Sequence, residues 1–159
     1  RLESVGLTMV NFFPSLYTGI GLGFLFALEG IAANAIKYGK LNIVPIEALQ
    51  QYGLVALLVL SFATAFSEEL LNRGFLFNRI LEKKKSLPYA VLVSTLLFVL
   101  LHVPILVTSL KLQGMTLVLF FLTDVILGVA TSMLFYRFRS LVAPILVHVF
   151  WNMTVALYL

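Results

Sequence analysis

The chain contains no cysteine among its 159 residues, and only 11% of them are charged. The absence of cysteine excludes disulfides, thiolate nucleophiles and cysteine-ligated zinc. A soluble domain carries about 25% charged residues, so this chain has too few to cover a water-facing surface. Hydrophobic residues make up 61% of the sequence, and the mean hydropathy is +1.05. The composition therefore predicts an integral membrane protein, of a length that suits a single bundle.

Five apolar segments are long enough to cross, or nearly to cross, a hydrocarbon core that requires about 20 helical residues. They lie near residues 12–36, 48–78, 88–107, 114–136 and 142–159. The predicted fold class is therefore all-α, a polytopic transmembrane helix bundle with about five spans in this chain. In the first segment Gly19 and Gly23 form a G-x-x-x-G step, which we interpret as a site of close helix packing.

The loop charges predict the orientation of the spans, because cytoplasmic loops are enriched in lysine and arginine. The larger basic group lies in the loops at 79–87 and 137–140, which we therefore assign to the cytoplasm. Lys37, Lys40 and Lys111 fall on the opposite side. Since the basic residues sit in short loops between spans, the net charge of +4 does not indicate nucleic-acid binding. Membrane lipid is an expected partner of this protein.

Several polar side chains interrupt the apolar segments, although each charge in lipid costs at least a few kcal/mol. They are Glu68, Glu69, Asn72 and Arg73 in the second segment, His102 in the third, Asp124 in the fourth, and His148 with Asn152 in the fifth. The two histidines of the chain both lie in predicted spans.

The helical rise allows their depths to be compared. At about 1.5 Å per residue, Glu68, His148 and His102 lie about 16, 12 and 21 Å from the loops at the same end. The half-thickness of the hydrocarbon core is about 15 Å. We therefore expect one carboxylate and two imidazoles, each from a different helix, to meet near the middle of the membrane.

Spacing along each helix refines this expectation. Glu69 and Arg73 stand at i and i+4 and can pair, which leaves Glu68 on a neighbouring face with Asn72. His148 and Asn152 have the same spacing and project to the same side. Any one such residue is as readily explained by a hydrogen bond between helices, but the conjunction at matched depth favours an active site. Asp124 has no polar partner at i±4, so we expect a packing or hydrogen-bonding role for it.

Three motifs in this arrangement resemble those of the CPBP family, the CAAX prenyl endopeptidase and bacteriocin-processing (Abi) intramembrane proteases. The motif E-E-x-x-x-R corresponds to Glu68, Glu69 and Arg73, followed by Gly74 and Phe75. F-x-x-x-H corresponds to Phe98 and His102, and H-x-x-x-N to His148 and Asn152. The resemblance covers a protease core at 48–159, and the apolar pattern places an N-terminal transmembrane helix and outer loop at 1–47.

The resemblance implies peptide-bond hydrolysis within the bilayer, with a bacterial cell membrane as the expected location. Carried onto this chain, Glu68 activates water with help from His102, His148 and Asn152 bind the oxyanion, and Arg73 orients the pair of glutamates. No cofactor is favoured. Zinc stays an alternative, because Glu68, His102 and His148 would leave a fourth position for water.

Two other classes of function also stay open at this point. Buried carboxylates and histidines build proton relays in transporters, although the chain has no inverted repeat. A bundle of this size is also compatible with a non-catalytic immunity or scaffold protein. The expected substrate of a protease is a membrane-associated or lipidated protein or peptide.

Overall fold

The computed structural model describes residues 2–42 and 47–158, and over these residues it contains helices and no strands. A short 3-10 turn at Leu2–Val5 precedes five long helices, which we label α1 to α5. Helix α1 is Phe12–Tyr38, and α2 consists of Glu47–Glu69, the π-helical stretch Leu70–Phe77 and Asn78–Lys84. Helix α3 is Leu87–Pro104 with the π-helical stretch Ile105–Ser109, α4 is Gly114–Phe138, and α5 is Val142–Tyr158. The predicted all-α bundle is confirmed.

Four of these helices contain segments long and apolar enough to cross a membrane, namely Phe12–Ala32, Gln50–Lys84, Leu87–Ser109 and Gly114–Phe138. The apolar stretch of α5, Val142–Val155, is shorter. The second segment ends later than predicted, because Arg79 and Glu82 continue the helix and pair at 2.9 Å. The predicted outer loop includes residues 43–46, which lie outside the described part of the chain.

Helix α5 lies in the middle of the bundle and packs against α1, α2 and α4. One side of α5 joins a buried cluster with α2 and α4 that includes Ala65, Phe77 and Phe135. Its Val147 and Trp151 belong to a second buried cluster with α3 and α4. A helix that is apolar around most of its circumference is suited to such an internal position. Although α5 is short, its central position places His148 and Asn152 in the interior of the bundle.

Glycines in α1 permit its close approach to α5. A Cβ atom at Gly19 would lie 2.9 Å from the Cα atom of Ala143, and one at Gly23 would overlap the ring of Phe150. The predicted packing role of the G-x-x-x-G step is therefore confirmed. Gly74 in α2 has a similar role, because its Cβ would lie 2.6 Å from the carbonyl oxygen of Val5.

Hydrogen bonds tie the N-terminal segment across the end of the bundle that carries the basic loops. Asn78 Nδ2 donates to the carbonyl of Ser4 at 2.8 Å, and Arg139 Nη1 donates to Asn78 Oδ1 at 3.4 Å. The backbone N–H of Leu141 donates to the carbonyl of Gly6 at 3.0 Å. The loops at 79–87 and 137–140 therefore share one end of the bundle, and its cytoplasmic orientation stays a prediction.

Candidate active site

The innermost part of the site is an ion pair within α2. Arg73 Nη1 donates to Glu69 Oε1 at 3.1 Å, and neither side chain has any exposed surface. Arg73 lies in the π-helical stretch, and π-helical turns occur frequently at functional sites. Its Nη2 atom donates to the carbonyl of Gly128 in α4 at 3.1 Å. The predicted i, i+4 pairing is confirmed, and the pair also joins α2 to α4.

The ring of Phe98 in α3 contacts the cation and both imidazoles. Arg73 Cζ lies 4.5 Å from the centroid of this ring. The ring of His102 lies 4.4 Å away and that of His148 lies 5.6 Å away, centroid to centroid. A cation over an aromatic face is attracted by the ring quadrupole, more strongly where water is excluded. This contact gives the phenylalanine of the second motif a physical role.

His148 of α5 uses one ring nitrogen to bind the buried ion pair. Its Nδ1 atom lies 2.8 Å from Glu69 Oε1, and the imidazole is only 2% exposed. Because the carboxylate of Glu69 is paired with Arg73, it can only accept, and we assign the proton to Nδ1 of His148. The other nitrogen, Nε2, faces Glu68.

His102 of α3 is oriented in the same way by its own helix. Its Nδ1 atom lies 2.9 Å from the carbonyl oxygen of Phe98. A carbonyl oxygen accepts only, so Nδ1 carries the proton and the lone pair of a neutral His102 is on Nε2. This lone pair is also directed towards Glu68.

Glu68 lies between the two imidazoles, as the depths along the helices predict. Its Oε2 atom is 3.5 Å from Nε2 of His148 and 3.6 Å from Nε2 of His102. The Glu68 side chain is 40% exposed, but Oε2 itself is buried. The site therefore presents one carboxylate oxygen and two imidazole nitrogens around a small space, with the rest of the Glu68 side chain accessible.

A cavity of about 370 Å³ adjoins Glu68 and His102. Its polar wall also includes Asn72, and its apolar wall consists of Leu71, Leu76, Phe98, Leu101 and Ile105. Leu71, Leu101 and Ile105 are exposed on the outer surface of the helices. The cavity consequently lies between α2 and α3 and opens towards the region that lipid occupies around a membrane bundle.

Asn152 lies one turn from His148 but contacts α2. Its Nδ2 atom is 3.3 Å from Thr64 Oγ1 and 3.5 Å from the carbonyl oxygen of Ser61. The Thr64 hydroxyl donates to the backbone carbonyl of Leu60 at 3.0 Å. Thr64 is therefore an acceptor for Asn152, and the amide nitrogen is the group that faces α2. Both contacts are long, so redirecting one of the two amide N–H groups of Asn152 to another acceptor costs little free energy.

The donor set fits a zinc ion. Among the described residues, Glu68, His102 and His148 offer ligand atoms that all lie within 4.8 Å of one another. A tetrahedral site with bonds of about 2.0–2.1 Å separates neighbouring ligands by about 3.3–3.5 Å, close to the two glutamate–imidazole distances. Each imidazole also donates its other N–H to an oxygen, as metal-binding histidines do.

Comparison with known proteins agrees with the three motifs. The model of the family described as type II CAAX prenyl endopeptidase Rce1-like matches residues 50–154, which include all the motif residues named above. The chain belongs to this family, which is consistent with the predicted CPBP resemblance, and membership supports a membrane protease in general. No curated protein and no solved structure matches the chain.

Two contributors to the site were missed by the sequence analysis. The carbonyl of Gly128 holds Arg73, and the hydroxyl of Thr64 holds Asn152. A fully buried guanidinium has five donors and needs more acceptors than one carboxylate provides. The sequence therefore indicates that Arg73 has a further partner, but not which residue it is. Thr64 precedes Glu68 by one helical turn, and this spacing could have indicated that Thr64 lies near the site.

Replacement of Arg73 by methionine should destabilise the fold by about 3–5 kcal/mol, because Glu69 would remain as a buried and uncompensated charge. The double variant Arg73→Met/Glu69→Gln should recover part of this loss. Unfolding of the purified protein in detergent measures both effects.

The matched control is Arg79→Met, since the Arg79–Glu82 pair has side chains that are 57% and 54% exposed. Loss of such a pair should cost less than about 1 kcal/mol. Equal destabilisation by the two arginine substitutions would contradict the role assigned to the buried pair.

Proposed function

We propose that this protein is an intramembrane endopeptidase, in which Glu68 and His102 activate water for hydrolysis of a peptide bond. The observation that carries the proposal is the Glu68 carboxylate, which lies between two imidazole nitrogens and beside the cavity. Desolvated groups held in fixed positions are suited to proton transfer, because little reorganisation is needed during the reaction.

The position of the cavity supports a membrane-associated or lipidated substrate. Leu71, Leu101 and Ile105 border it and are exposed on the outer surface of the bundle. A segment already in the bilayer can therefore approach between α2 and α3 without crossing a polar surface. Asn72 provides polar hydrogen-bonding atoms on the same wall, which suit the backbone of an extended peptide.

Proton transfer begins at Glu68 in this proposal. The Glu68 carboxylate takes a proton from water, His102 holds the water through its Nε2 lone pair, and the resulting hydroxide attacks the carbonyl carbon. A tetrahedral intermediate forms, and its collapse breaks the C–N bond. The proton held by Glu68 passes to the leaving nitrogen, so the products are a carboxylate and an amine.

His148 and Asn152 are proposed to stabilise the oxyanion of this intermediate. Donation from Nε2 of His148, while Nδ1 remains bonded to Glu69, requires an imidazolium. The carboxylate oxygens of Glu68 and Glu69 lie 3.5 and 2.8 Å from the two ring nitrogens of His148. Asn152 contributes one amide proton by giving up a long contact with α2.

A zinc-dependent version of the protease is the alternative, supported by the orientation of the two imidazoles. Glu68, His102 and His148 would hold the ion, which would supply Lewis-acid polarisation and a more acidic bound water. The position of Glu69 on Nδ1 of His148 suits this version as well. The two versions predict different effects of replacing Asn152 and of treating the protein with a chelator.

Replacement of Glu68 by glutamine should reduce the turnover of a membrane peptide by at least about 10²-fold, the usual contribution of a general base. Glutamine preserves the shape of the side chain but cannot accept the proton, so insertion and folding should be unaffected. Cleavage by the purified protein in liposomes measures the effect, and Glu82→Gln in the exposed pair is the control. Near-normal turnover in the Glu68 variant would disprove the assignment.

Replacement of His148 or Asn152 by alanine should lower kcat with little change in KM, because an oxyanion donor acts on charge that develops in the transition state. A lost donor typically costs about 10²–10³ in kcat, and we expect a smaller loss for Asn152. Wild-type protein should remain active after chelator treatment. Stoichiometric zinc that is lost in His148→Ala would instead establish the metal-dependent version.

A further inference from the structure

Asn72 in α2 is a buried amide that lines the cavity beside Glu68 and His102. Only 4% of the residue is exposed, and its Oδ1 atom is buried without a hydrogen-bond partner among the described residues. Asn72 occupies an open position of the motif E-E-x-x-x-R, so the motif assigns no role to it. A buried oxygen without a donor costs free energy, and the interior of a membrane offers little water to satisfy it.

Other buried side-chain atoms without a partner belong to residues that do not line this cavity. In the part of the chain that the structure describes, these residues are Ser15, Glu69, Arg73, Thr95 and Asp124. The hydrogen bond that the sequence suggested for Asp124 is not found at its Oδ2 atom among the described residues. Glu68 and Asn72 are therefore the two described residues that bring an unpartnered oxygen to the wall of the cavity.

Two other asparagines show what a structural amide does in this bundle. Asn11 Nδ2 donates to the carbonyl of Phe138 at 3.1 Å, and Asn78 Nδ2 donates to the carbonyl of Ser4 at 2.8 Å. Each of these amides joins two elements that are distant in sequence. The Oδ1 atom of Asn72 makes no such bond to a described residue, so helix packing does not account for its position.

A peptide backbone supplies the donor that Oδ1 lacks. Asn72 lies one helical turn from Glu68, about 6 Å along α2 towards the loop at 79–87. Since an extended peptide advances about 3.3 Å per residue, the peptide unit beside Asn72 is about two residues from the bond beside Glu68. Rotation about χ2, a soft torsion in asparagine, directs the amide towards the cavity. The side-chain oxygen then accepts from a backbone N–H, and the side-chain nitrogen donates to a backbone carbonyl.

We propose that Asn72 is a substrate-binding residue, whose side-chain amide pairs with the peptide unit about two residues from the scissile bond, on the flank nearer the loop at 79–87. This inference rests on the proposed function. The contact fixes which bond of an extended segment lies beside Glu68. It also selects against substrates with proline at the paired position, because proline has no backbone N–H.

The test combines a protein variant with a substrate variant. Asn72→Leu removes the amide, and an ester oxygen in place of one backbone N–H removes the donor from a synthetic membrane-spanning peptide with a single cleavage site. In liposomes, an ester at the paired position should lower kcat/KM of wild type about two- to tenfold, the range of one neutral hydrogen bond. The same ester should have no further effect on Asn72→Leu, because the two changes remove the same interaction. Esters at neighbouring positions should affect both proteins equally.

The effect of Asn72→Leu on the unmodified peptide should fall on KM, with kcat little changed, because Asn72 binds away from the reacting bond. Its Tm should stay the same or rise, since the substitution removes a buried atom without a partner. The matched control is Asn78→Leu in the same helix. It should lower Tm, because it removes the bond to Ser4, and it should leave the effect of the ester as in wild type.

Additive effects of Asn72→Leu and the ester at every position, or an unchanged KM in Asn72→Leu, would overturn the inference. Glu68→Gln separates it from the proposed function. If wild type cleaves the peptide and Glu68→Gln does not, additivity refutes the role of Asn72 alone. Retained turnover in Glu68→Gln refutes the proposed function, while the ester comparison still tests Asn72. If wild type cleaves no membrane peptide, both proposals fail.

Discussion

The buried ion pair between Glu69 and Arg73 is the interaction on which the rest of the site depends. The guanidinium binds α2 to α4 through the Gly128 carbonyl and lies over the ring of Phe98 in α3. The carboxylate binds His148 in α5. Four helices thus converge on one pair of charges that has no exposed surface. A pair of this kind is expensive to desolvate, and the hydrogen bonds to Gly128 and His148 offset part of that cost, while Glu69 Oε2 and Arg73 Nε have no partner among the described residues.

Exposure of the side chains increases in steps from this pair to the groups that are proposed to react. Arg73 and Glu69 are fully buried, His148 is 2% exposed, His102 is 23% exposed and Glu68 is 40% exposed. The buried members have fixed partners, which hold the accessible members in place. Such preorganisation is the main means by which enzymes stabilise developing charge. In the proposed mechanism the ion pair does not contact the substrate, and its role in the motif is to hold the other groups in place.

Much of this arrangement follows from the sequence, because helical spacing and membrane depth are regular. The Glu69–Arg73 pair and the meeting of Glu68 with both histidines were predicted from i, i+4 spacing and helical rise. The π-helical stretch at Leu70–Phe77 was not predicted, because it is defined by backbone hydrogen bonds from i to i+5 and not by a particular choice of side chains. The Gly128 carbonyl was also missed, because every residue carries a carbonyl and only the packing of α2 on α4 selects this one. The Thr64–Asn152 contact likewise depends on the register between two helices.

In the proposed mechanism, Glu68 directs water onto a peptide bond and does not attack that bond itself. A single turnover of a membrane-anchored peptide in ¹⁸O-labelled water, with purified protein in liposomes, tests it most directly. If Glu68 activates water, one ¹⁸O atom is expected in the new C-terminal carboxylate of the product and none in the peptide that contains Glu68. Label in Glu68 with an unlabelled product would indicate a covalent anhydride, and would show that Glu68 acts as the nucleophile.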